Sequence, residues 1–127
     1  MIKFLLDYSS GVPVYRQIID QIRFGITSGQ LKPGEQLPTV RALAVELKVS
    51  LNTISKAYRE LEIKNILETQ QGTGTFINNT EQAVPDKERE GKLEEICVQF
   101  SSVALSYGFT LGEIVQELKN IETSKKL

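Results

Sequence analysis

The sequence predicts a mainly α-helical chain in two modules, with one small β-hairpin. Three observations carry that expectation. Apolar residues recur at helical spacing in five separate stretches of the 127 residues. Two short β-prone runs, 66–70 and 75–77, flank a tip of Gln71, Gly72, Thr73 and Gly74. The charge also divides: residues 1–78 hold nine Lys/Arg against seven Asp/Glu, and residues 79–127 hold six against nine. A mildly basic first part and an acidic second part suggest two modules with different tasks.

Residues 2–6 form a short apolar run that reads either as a strand or as a docked arm. Pro13 stands where a helix begins, since its fixed φ suits the first turn. Val14, Tyr15, Ile18, Ile19, Ile22 and Ile26 then make one apolar stripe, and Gly29 ends a first helix over about 13–28. Leu31 to Glu35 is a Pro-Gly turn. Thr39 caps a short second helix to residue 47, with Val40, Leu43, Ala44 and Leu47 inward. Val49 and Ser50 make a tight link. Ser50 caps a third helix whose stripe is Ile54, Ala57, Tyr58 and Leu61. Tyr58 reads as core, and Asn65 suits a left-handed turn.

After the hairpin, residues 78–91 are polar and without period, a linker running into a frayed helix start. A fourth helix carries the stripe Leu93, Ile96, Cys97, Phe100, Val103, Ala104 and Tyr107, and Gly108 stops it. Cys97 reads there as a small buried hydrophobe. Thr110 and Glu113 form a capping box for a last helix with Ile114, Val115, Leu118 and Ile121 inward. Lys125 and Lys126 complement its C-terminal end. The expected fold is therefore helix-turn-helix plus wing over 1–78, then a linker and a short two-helix domain over 79–127.

Composition excludes much chemistry. With no histidine and one cysteine, the chain offers no Cys/His zinc site, no Ser-His-Asp triad and no disulfide framework. No enzyme activity, metal or cofactor is expected. Gly72-Thr73-Gly74 is too short for a dinucleotide fingerprint and follows the wrong element. No apolar run approaches membrane-spanning length, and the first apolar run is too short for a signal segment, so a cytoplasmic protein without membrane contact is expected.

Two short helices joined by a tight turn suit a helix-turn-helix, whose second helix enters the DNA major groove. That groove is about 12 Å wide and admits one α-helix. The side facing it must be polar, small near its N-terminus, and basic. Asn52, Thr53, Ser55, Lys56 and Arg59 meet that description. Asn pairs with an adenine edge, and Lys reaches guanine or phosphate. A wing tip without bulky side chains suits close backbone approach to a groove. The other reading of the same residues is a three-helix core with a solvated polar face.

The runs from Leu31 to Ala44, from Val49 to Glu62 and from Gly72 to Ile77 resemble the N-terminal winged helix-turn-helix of the GntR family of bacterial transcription regulators. Residues 52–58 and the short C-terminal part resemble its YtrA subfamily. The resemblance covers residues 12–77 by motif, and 86–121 only by size and helix pattern. It implies that Thr39 caps near a phosphate and that Arg41 contacts DNA. It also places Ser50, Asn52, Thr53, Ser55 and Lys56 at recognition-helix contact positions, and Gln71 and Gly72 at a wing tip reaching the minor groove. Many family members carry arginine at the positions of Leu51 and Ser55. Base readout here must rest more on Asn52, Thr53 and Lys56.

About 40 residues in two helices cannot enclose a small-molecule cavity of several hundred Å³ and keep a core of their own. Their surplus apolar stripe, Leu93, Ile96, Phe100, Val103, Tyr107, Ile114, Leu118 and Ile121, calls for a partner, and a second copy is the economical one. The resemblance implies the same: a small dimerisation domain in place of a large effector domain. A homodimeric repressor on a palindromic operator of double-stranded DNA is the expectation, with any small-molecule effector unknown. The competing reading is a protein-interaction adaptor that uses the winged helix without DNA.

Overall fold

The computed structural model describes residues 2–79 and 86–124. Its elements are α1 (Val14–Thr27), β1 (Gln36–Leu37), α2 (Val40–Leu47), α3 (Leu51–Ile63), β2 (Leu67–Gln70), β3 (Gly74–Ile77), α4 (Asp86–Ser106) and α5 (Leu111–Thr123). The chain divides into two compact units, residues 1–81 and 82–127.

In the first unit, α3 packs against both α1 and α2. Each helix contributes the stripe that its spacing predicts: Ile18, Ile19 and Ile22 from α1, Leu43 and Ala44 from α2, Ile54, Ala57, Tyr58 and Leu61 from α3. Leu37, Leu67 and Ile77 close this core from the sheet, and Leu31 and Phe4 from the loops. The sheet is antiparallel in the order β1-β3-β2, with Leu67 opposite Ile77 and Gln36 opposite Phe76. β1 was not expected from the sequence. It is two residues long, wedged between the Pro33-Gly34 turn and Pro38, and no periodicity exists at that length. Asn65 takes the left-handed conformation at φ 59° that lets the chain leave α3 for β2.

Residues 2–6 form a docked arm rather than a strand. The backbone partners that a neighbouring strand would supply come from two glutamine side chains on α1. Gln21 accepts from the Leu5 amide at 3.0 Å and donates to its carbonyl at 2.7 Å. Gln17, one turn earlier, does the same for Asp7, both at 2.8 Å. Phe4 is thereby seated in the core and Ile2 against it.

In the second unit, α4 packs on α5. Gly108, at φ 87°, ends the α4 side of the link. The Thr110 hydroxyl accepts from the Glu113 amide and the Glu113 carboxylate from the Thr110 amide, both at 3.1 Å, the expected capping box. Two sequence expectations need correction here. The helix start expected within residues 78–91 lies at Asp86, and residues 86–91 are regular helix rather than frayed; Lys, Glu and Arg are good helix formers even where no apolar period marks them. Cys97 is exposed rather than buried, because a pair of helices has too little mass to cover both flanks of the α4 stripe. Lys125, Lys126 and the linker positions 80–85 lie outside the described residues.

Tyr58 joins three parts of the first unit. Its ring fills the core from α3, and its hydroxyl donates to the Pro38 carbonyl at 2.8 Å, at the entry to α2. Burial, helped by the negative charge of Glu46, pushes its phenol above the usual tyrosine range. The folded state thus disfavours ionisation. The stability this contributes is complete below the unfolded value of about 10 and is lost as pH rises beyond it. Tyr58→Phe is expected to cost about 1–2 kcal/mol at neutral pH, through the lost hydrogen bond and the orphaned carbonyl. It should also flatten the decline of stability above about pH 10. Urea unfolding across pH checks both; parallel curves for the two proteins would contradict the second.

Candidate nucleic-acid interface

The link between α2 and α3 is closed by backbone geometry and by caps at both helix starts. Lys48 ends α2 in the left-handed region at φ 58°, and the Val49 amide returns to the Ala44 carbonyl at 3.1 Å. Thr39 caps α2, its hydroxyl accepting from the Ala42 amide at 3.0 Å. Ser50 caps α3, accepting from the Thr53 amide at 3.2 Å, and the two hydroxyls pair at 2.8 Å. The turn is therefore stiff, and the direction of α3 is set by it.

Burying Ile54, Ala57, Tyr58 and Leu61 turns the opposite face of α3 outward. Asn52, Lys56 and Arg59 are exposed on that face, and Thr53 and Ser55 are half-buried at its margin. Leu51 is exposed among them. Thr39 and Ser50 are exposed at their caps, and Arg41 is exposed in the first turn of α2. Among the described residues, no ion pair engages Arg41, Lys56 or Arg59. These cations keep their charge available to an anion. The Lys56 ammonium lies 3.8 Å from the centroid of the Tyr15 ring on α1. The sequence reading placed Tyr15 in the apolar stripe and missed this contact, since nothing in local spacing links positions so far apart.

The wing projects from the same unit. Gln71, Gly72 and Thr73 are exposed at its tip, where the Thr73 amide closes a turn onto the Gln70 carbonyl at 3.0 Å. Its base is tied to α3: the Thr69 hydroxyl donates to the Glu62 carboxylate at 2.6 Å, and the Asn78 side-chain amide to the Asn65 carbonyl at 2.9 Å. Gln36, also missed from sequence, reaches across from β1 and donates to the Thr73 carbonyl at 3.1 Å. Gly74 makes room for it. A Cβ there would sit 2.5 Å from Gln36 Nε2, and the backbone φ of 141° itself disfavours any other residue.

The second unit presents a different surface. Leu93, Ile96, Val103, Tyr107 and Leu118 are exposed, and Phe100, Ile114 and Ile121 are half-buried. Val98 and Leu105 expose a further apolar face of α4. Between α4 and α5 runs a groove of about 460 Å³, lined by Phe100, Ala104, Phe109, Ile114 and Leu118 with Glu113 and Glu117. The groove is open to solvent rather than an enclosed cavity. No helix among the described residues is long and apolar enough to cross a membrane.

A family model described as bacterial regulatory proteins, gntR family, matches residues 14–77. The HTH-type transcriptional repressor YtrA of Bacillus subtilis (strain 168) is 35% identical over 121 residues, covering 95% of this chain and 93% of that one. Among solved structures, a transcriptional antiterminator from Listeria monocytogenes EGD-e superposes with a TM-score of 0.71 at 31% identity, over 95% of this chain and 90% of that one. AraR(DBD) in complex with operator ORX1 matches with a TM-score of 0.52 at 30% identity, over 60% of this chain and 95% of that one.

The Gln36 bridge generates an expectation for the wing. Gln36→Ala should leave global stability within about 0.5 kcal/mol, as surface substitutions usually do. It should speed hydrogen exchange of the Thr73 amide, because the turn loses the bond that holds its carbonyl. Exchange followed by NMR tests this, and unchanged protection at the tip would show that the turn holds itself.

Proposed function

The chain belongs to the GntR family of bacterial regulatory proteins, transcription regulators rather than enzymes, and from that membership we propose that it is a homodimeric repressor acting in the cytoplasm on a palindromic operator. α3 enters the major groove and the wing tip at Gln71 and Gly72 follows the adjoining minor groove. Asn52 and Lys56 read base edges, with Thr53 and Ser55 beside them. Thr39, Ser50, Arg41 and Arg59 hold the flanking phosphates. The observation that carries this reading is the exposed face of α3, where Asn52, Lys56 and Arg59 share one side of a helix and no carboxylate among the described residues neutralises them. AraR's DNA-binding domain, similar over this region, is itself bound to an operator.

The whole chain carries a net charge of −1, so attraction to DNA must come from this local surface. Affinity should fall steeply with salt, with a log–log slope of about 0.9 per phosphate neutralised. Asn52→Ala should weaken binding to the operator by about 1–3 kcal/mol and binding to random DNA far less, because asparagine neutralises no phosphate. Mobility shifts on both duplexes decide it. Equal losses would remove Asn52 from base readout, and salt-independent affinity would favour an adaptor role instead.

The division of labour in this reading gives DNA contact to the first unit and self-association to the second. Leu93, Ile96, Phe100, Val103, Tyr107, Ile114, Leu118 and Ile121 supply the surface that a second copy would cover, at about 25 cal/mol per Å² of apolar area buried. A fragment of residues 1–80 should fold, since its core is internal, but remain monomeric and bind a palindrome far more weakly. Phe100→Asp in the full chain should act similarly, by forcing a charge into the interface. Sedimentation equilibrium reads both, and a dimeric fragment would refute this assignment.

A further inference from the structure

Lys56 is the first cation along α3, and the way it is held is unusual for a surface lysine. Its ammonium sits 3.8 Å from the Tyr15 ring centroid, within the range of a cation–π contact. Tyr15 is in the first turn of α1, half-buried and packed against the core of the first unit, so the ring is a fixed platform. No carboxylate among the described residues pairs with Lys56. An ion pair would have offset its charge and would have to break before DNA is reached. An aromatic face does neither. It attracts the cation through its quadrupole, and the N–H donors not turned to the ring stay free to point outward.

We propose that Tyr15 is a positioning residue for base readout: its ring holds the Lys56 ammonium against α3 so that the amine meets the groove already oriented. A free lysine loses much rotamer freedom when it docks, and a tethered one has lost part of it beforehand. The role rests on the reading of α3 as the groove-facing helix. It assigns to Tyr15 an effect on specificity, because Lys56 can bond a guanine edge only from a defined direction, whereas a phosphate accepts it from many.

The test has one arm that needs no DNA. In the free protein, ring current should displace the Lys56 Cε protons upfield in wild type and in Tyr15→Phe, and not in Tyr15→Leu. The second arm uses the duplex that wild-type protein selects from a randomised pool, with random duplex as control. Tyr15→Leu should lose about 2–5-fold in affinity for the selected duplex, the scale of an exposed cation–π contact, and little for random DNA. Tyr15→Phe should match wild type. In a Lys56→Met background, Tyr15→Leu should cause no further loss. Equal losses for Phe and Leu would mean that the hydroxyl acts, and the proposal fails. A persistent loss in the Lys56→Met background would mean that Tyr15 acts through the fold, and a gain in affinity would mean that the ring holds the amine away from DNA; either overturns it. Wild-type protein that selects no duplex refutes the DNA reading and this role with it. Selection by wild type with Tyr15→Leu unchanged refutes this role alone.

Discussion

The arrangement of the first unit depends on the burial of one seam of α3. Ile54, Ala57, Tyr58 and Leu61 are each almost wholly excluded from solvent, and they pack at once on α1 and α2. A helix with one face so committed has no freedom to rotate about its axis. The face opposite the seam is therefore presented with fixed orientation, and Asn52, Lys56 and Arg59 are on it. Shape and charge at the candidate interface follow from a packing decision made on the other side of the helix.

Hydrogen bonds refine what packing decides. The caps at Thr39 and Ser50 satisfy backbone donors that helix starts leave open, and they fix where α2 and α3 begin. Tyr58 carries the α3 seam outward to the Pro38 carbonyl. The wing is secured at its base by Glu62 and Asn78 and near its tip by Gln36. The N-terminal arm is held by Gln17 and Gln21 in place of a neighbouring strand. Apart from the Thr69–Glu62 pair, which joins two side chains, each of these bonds has a side chain completing a main-chain partnership that the backbone leaves open.

The second unit obeys the opposite logic. Two helices expose most of their apolar residues, and none of the described residues there is fully buried. Their local structure is nonetheless well specified, since the capping box at Thr110 and Glu113 and the left-handed Gly108 set the link between them. The unit is thus defined in its own geometry and incomplete in its burial. A core must be finished by something, and that need is what the homodimer reading answers.

Helical periods, caps and the hairpin were legible in the sequence because each is a local property: stripes recur every three or four residues, Thr39 and Ser50 stand directly before the helices they cap, and glycine marks the wing tip. The exposed polar face of α3 was legible for the same reason, as the complement of its stripe. Two readings failed where local cues were absent or misleading. The start of α4 has no apolar period, and Cys97 has the spacing of a core residue without the neighbours to make it one. Tertiary structure alone decided the rest. β1 exists only because β3 lies beside it, the arm is docked only because two glutamines of α1 face it, and Gln36 meets Thr73 only across the sheet. Tyr15 meets Lys56 because α1 and α3 share a core. Sequence patterns report what a residue prefers beside its chain neighbours, whereas contacts between distant residues are set by how the buried faces pack, and that is fixed only when the chain has folded.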